Sequence, residues 1–144
     1  MSIERINPET LGRPSGFAHA VRATGTSRIY LAGQTALDSD GIIVGDGIVG
    51  QFEQALRNLL TALAAAGGRP DQLVTVTIYI VDVPDYRAHA RAIGQVWRRL
   101  AGTDYPAMAG IGVARLWDDA ALVELQGVAE IPAGPPEELR TNAR

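Results

Sequence analysis

Between Ile48 and Val81 the spacing of apolar residues switches from a helical period to a strand period, and this limits the chain to a small set of folds. Ile48, Phe52, Ala55, Leu56, Leu59, Leu63 and Ala66 recur at steps of three and four, which predicts an amphipathic helix. The other face carries Gln51, Glu53, Gln54, Arg57 and Asn58. Asp46 is placed to cap the start, and Gly67-Gly68 to end it. From Leu73 to Val81 the pattern alternates. Val74, Val76, Ile78 and Ile80 share one face, and Thr75, Thr77 and Tyr79 the other. A helix and a strand so close together bury their apolar faces by packing the helix on a sheet.

The remaining segments extend that arrangement. Ser2 to Ile6 reads as a first strand, and Leu11 to Phe17 as a Gly/Pro-rich loop. Ala18–Ala23 and Arg28–Ala32 read as two strands joined by a hairpin turn at Thr24-Gly25-Thr26-Ser27. Asp38-Ser39-Asp40-Gly41 is a turn, with Gly41 to Val44 pairing briefly after it. Asp82-Val83-Pro84-Asp85 starts a second helix running to about Leu100, with Tyr86, Ala90, Ile93, Trp97 and Leu100 facing inward. Two more strands, Tyr105–Leu116 and Leu122–Ala129, flank a turn at Trp117-Asp118-Asp119. Residues 1–132 are expected to form one domain, and residues 133–144 a loose tail. Two helices cover only one face of such a sheet, so the half-polar face with Thr75, Thr77 and Tyr79 implies a homo-oligomer that closes it.

Composition removes several chemistries. The chain has 144 residues and no cysteine, and all 13 of its basic residues are arginine. Thiolate nucleophiles, cysteine metal sites and Schiff-base lysines are therefore excluded. Two histidines, His19 and His89, argue against a zinc site. A net charge of −3 gives no field favouring nucleic acid or an anionic membrane. The N-terminus has no basic segment leading into an apolar run, and no run reaches the length of a membrane span. A soluble cytoplasmic protein without a metal is expected.

Several short motifs then fall in a suggestive order. Gly33-Gln34 follows an apolar strand, Gln54-Ala55-Leu56-Arg57-Asn58-Leu59 lies in the first helix, and Ala65-Ala66-Gly67 closes it. Val76 to Asp82 forms the middle strand, followed by Tyr105-Pro106-Ala107, Val113-Ala114-Arg115-Leu116 and Val123-Glu124. In this order and spacing, from about Gly16 to Ala129, the sequence resembles the RidA (YjgF-type) family. The resemblance implies a chorismate-mutase-like α/β (α+β) subunit with a mixed six-stranded sheet and two helices on one face. Three subunits would enclose a barrel, with small-molecule pockets in the clefts between them. It also implies hydrolysis of enamines or imines such as 2-aminoacrylate, without a cofactor.

The same resemblance points to site residues and to departures. The family's glutamate that helps hold the attacking water matches Glu124, and an assisting main-chain carbonyl falls at Gly110. Gly33 and Gln34 match as well. The arginine that grips the substrate carboxylate is replaced by Met108, the loop tyrosine by Phe17, and the serine before Gly-Gln by Ala32. Trp117, at the last turn, is a further candidate ligand contact. Each replacement is apolar, so the pocket is expected to lack a guanidinium and to prefer a neutral or aromatic ligand. Two functions follow: a diverged hydrolase or deaminase acting on an enamine or imine more apolar than 2-aminoacrylate, or a trimer that binds a small metabolite without chemistry.

Overall fold

The structure, a computed structural model, describes residues 1–134. Strands β1 (Ser2–Ile6), β2 (Ala20–Thr24) and β3 (Thr26–Gln34) precede helix α1 (Gly47–Ala65). After a 3₁₀ turn at Pro70–Gln72 come β4 (Leu73–Ile80), α2 (Val83–Ala88), α3 (Ala90–Ala101), β5 (Ala107–Gly112) and β6 (Val123–Pro132). The six expected strands divide into a β1–β2 hairpin and a mixed four-stranded sheet in the order β3-β6-β4-β5. β4 and β5 run parallel, and the other pairs antiparallel. The tail beyond Gly134 lies outside the described residues.

The expected hairpin between β2 and β3 does not form. β2 pairs with β1, and β3 pairs with β6. Only Gly25 separates the two strands, too short for a two-residue hairpin turn. Its φ of 66° bends the chain from one sheet to the other. Arg5 then fastens the hairpin to the body, donating to the carbonyls of Tyr105, Asp71 and Asp104 at 2.9, 2.8 and 3.0 Å.

The apolar stripe of α1 behaves as its period predicts. Phe52, Leu56, Leu59 and Leu63 are fully buried against Leu73, Val76, Val123 and Leu125 of the sheet. Each such side chain contributes about 1.5–3 kcal/mol through removal from water. Two polar residues of α1 depart from the solvent-facing role their position suggests. Gln51 is buried, and its amide donates to the Ala120 carbonyl at 3.0 Å and accepts from the Leu122 amide at 2.8 Å. Asn58 donates to the carbonyls of Thr35 and Leu37 at 3.0 and 2.8 Å. Both side chains supply partners to loop peptides that no strand pairs.

Two irregularities re-aim residues on the sheet. Between Leu73 and Thr75 the register of β4 slips against β6. Leu73 and Val76 both face the core as a result, and Val74 leaves the inward face assigned to it by simple alternation. A second slip lies between Leu31 and Gln34 of β3, at Ala32-Gly33. The expected second helix breaks at His89, whose backbone (φ −108°, ψ 13°) is not helical. The Asp82 carboxylate caps its first half, accepting from the Asp85 amide at 3.0 Å. The remaining half, α3, packs Ile93, Val96 and Trp97 into the core.

Asn58→Ala is expected to lower stability by about 1–3 kcal/mol, because two part-buried carbonyls lose their donor. In urea the unfolding midpoint should fall while the slope stays constant.

Candidate functional site

The two faces of the four-stranded sheet carry different chemistry, and the expected site residues divide between them. On the helix-covered face, α3, the β5 strand and the loop before β2 enclose a cavity of about 640 Å³. Phe17, Met108 and Gly110 line it. Met108 lies beside Val76 in the register of β4 and β5, and its side chain packs on the core. Gly110 lies beside Ile78, where the missing side chain leaves room in the cavity. Phe17 is held from behind by His19. The imidazole stands edge-on to the ring at 5.2 Å, and its Nε2–H donates to the Gly12 carbonyl at 2.6 Å.

Glu124 is on the opposite face. It sits directly across from Tyr79, between the buried Val123 and Leu125. The slip at Ala32-Gly33 brings β3 against its carboxylate so closely that a Cβ at position 33 would meet Glu124 Oε1 at 2.1 Å. Gly33 is not among the residues with positive φ. Space for the acid, rather than backbone torsion, is therefore what requires glycine there. Ala32 is exposed and Gln34 half-buried on the same strand. Tyr79 donates its hydroxyl to Gln126 Oε1 at 3.1 Å, extending a polar strip along this face. Among the described residues Glu124 takes part in no ion pair.

A single chain thus unites Phe17, Met108 and Gly110, and unites Gly33 with Glu124, but does not join the two sets. Trp117 belongs to neither: it is 96% exposed at the turn before β6. The expectation of a cavity without a guanidinium is also corrected. Arg91 and Arg98, from α3, line the cavity that holds Met108. Neither is among the candidate site residues read from the sequence. The available signal was a spacing of seven residues, which puts Arg91 and Arg98 on one line of a helix.

The remaining lining is mostly aromatic: Phe52, Tyr86, Trp97 and Tyr105. Burial pushes the Tyr86 hydroxyl up to about 12, so it stays protonated at any ordinary pH. Among the described residues the buried indole N–H of Trp97 has no hydrogen-bond partner. Among the described residues no cluster of three or more histidine and acidic side chains could hold a metal ion, and no helix is long and apolar enough to cross a membrane.

Comparison with known proteins agrees with this architecture. Residues 10–131 match the family described as Endoribonuclease L-PSP. A RutC family protein of Synechocystis is 33% identical over 135 residues, covering 92% of this chain and 99% of its own. A mouse 2-iminobutanoate/2-iminopropanoate deaminase is 32% identical over 114 residues, covering 78% of this chain and 79% of its own. Among solved structures, YyfB from Yersinia pestis, a protein of the conserved Rid family, superposes with a TM-score of 0.80 at 34% identity. That likeness covers 91% of this chain and all of the other. The order of strands and helices, the Gly33–Glu124 contact and the match over residues 10–131 lead to one conclusion: this chain belongs to the RidA (YjgF-type) family.

Proposed function

We propose that this protein is a cofactor-free hydrolase that deaminates an enamine or imine more apolar than 2-aminoacrylate, and that it works as a homotrimer. The observation that carries the reading is the lining of the cavity. Aromatic rings and Met108 surround a volume of about 640 Å³, well within the range of pockets that hold drug-sized ligands. A three-carbon substrate would leave most of it empty.

The chemistry needs one acid and no redox partner. Water adds across the C=N bond, its oxygen to carbon, while Glu124 takes one proton and returns it to nitrogen. Glu124 then takes the proton of the new hydroxyl and passes it to nitrogen as the C–N bond breaks, releasing ammonia and leaving a carbonyl. Gly33 keeps the space beside β3 in which the carboxylate rests. Phe17, Met108 and the peptide at Gly110 would position the carbon skeleton. The scheme requires an oligomer, because Glu124 and the cavity lie on opposite faces of one sheet. A neighbouring subunit is what could bring an acid to the cavity mouth.

That same separation favours a second reading, a trimer that binds a small metabolite without turning it over. Three substitutions distinguish the two. Glu124→Gln is expected to lower kcat at least about a hundredfold and to leave ligand affinity nearly unchanged; equal turnover by this variant and the parent would remove the catalytic reading. Gly33→Ala should show a similar loss of kcat with little change in melting temperature, because its methyl displaces the carboxylate. Met108→Arg should raise kcat/KM for 2-aminoacrylate while weakening apolar ligands, measured by ammonia release on a panel of imines.

A further inference from the structure

Helix α3 offers the cavity a charge arrangement of its own. Arg91 and Arg98 are seven residues apart, about two turns, so both project along one line of the helix. Gly94 lies between them and also lines the cavity. A Cβ at Gly94 would approach the Arg98 guanidinium to 3.3 Å, so the Arg98 head group lies back over the glycine. Among the described residues neither Arg91 nor Arg98 forms an ion pair, whereas the neighbouring Arg99 is paired with Glu53.

A second feature lies on the wall of the same space. Trp97 is 5% exposed and lines the cavity, and among the described residues its indole N–H has no partner. That N–H is sealed inside the core, so what the ring offers the cavity is its apolar surface. Two guanidiniums without an ion pair among the described residues, and a wall of aromatic rings, call for a ligand with an anionic end and an aromatic or branched apolar body.

We infer that the cavity binds a carboxylate whose grip comes from Arg91 and Arg98 of α3, with its apolar body among Phe17, Trp97 and Met108. The guanidinium absent at position 108 is thus supplied from the helix side, farther from the strand. That shift leaves room between carboxylate and β5 for a bulkier substituent. The assignment deepens the proposed function by making the substrate an aromatic or branched imino acid, and it rests on that reading only for the chemical step.

Binding tests it directly. Phenylpyruvate carries both features, 1-phenylpropan-2-one lacks the carboxylate, and pyruvate lacks the ring. Calorimetric titration of the full chain should show phenylpyruvate binding at least about tenfold more tightly than either, the effect of one charge-assisted pair. In Arg91→Gln/Arg98→Gln the acid should lose that advantage while the neutral ketone binds as before. These positions are exposed on α3, and an unchanged melting temperature would verify folding. Equal binding of acid and ketone by the parent, an advantage that survives in the double variant, or no detectable binding of any of the three would overturn the inference. A carboxylate preference without turnover of any imine would uphold it and remove the hydrolase reading. Imine turnover that persists undiminished in the double variant would remove the clamp and leave the hydrolase.

Discussion

Burial of the α1 stripe against β4 and β6 is the contact on which the rest of this structure depends. Leu56, Leu59 and Leu63 meet Val76, Val123 and Leu125 with no exposed surface. Because side chains alternate along a strand, fixing Val123 and Leu125 inward turns Glu124 outward. The same rule, applied through the register of β4 and β5, turns Met108 and Gly110 toward the helices. One packing decision therefore distributes the chemistry over two faces of the sheet. It also explains why, in a chain with a well-formed core, Glu124 lies on one side of the sheet and Met108 on the other.

The sequence disclosed the fold where period and length were unambiguous. The stripe of α1 and the helix start at Asp82 both have strong local causes, and the structure contains each, whereas Asp46, read as the cap of α1, makes no side-chain capping bond. The failures have causes that lie elsewhere in the chain. Thr24-Gly25-Thr26-Ser27 has the composition of a hairpin turn, yet the strands on either side find longer-range partners that bury more surface. Val74 reads as inward by alternation, and a one-residue slip against β6 undoes that. Gln51 and Asn58 read as surface amides because nothing in a helical pattern shows which loops will need donors. His89 lies in a continuous helical pattern, and its break is a tertiary outcome.

For the candidate site, Phe17, Gly33, Met108, Gly110 and Glu124 stand out in the sequence through their place in a motif order. What the motifs could not convey was how these residues share out between the faces, because that depends on strand order. The close fit of Glu124 over Gly33 is a three-dimensional reason for a Gly-Gln pair that looks unremarkable on paper. Arg91 and Arg98 were harder to see. They lie on a helix at the margin of its apolar stripe, where arginines ordinarily serve solubility. Only the shape of the cavity reveals that the stripe's edge is also a wall.

Gly94 carries an implication for anyone trying to harden this molecule. A glycine inside a twelve-residue helix weakens it by about 1 kcal/mol relative to alanine. Replacing such glycines is a standard route to thermostability. Here the added methyl would press on the Arg98 head group and force the guanidinium to shift. A tougher scaffold obtained that way would come with a less hospitable cleft, so the notch in α3 marks a spot where rigidity and recognition pull in opposite directions.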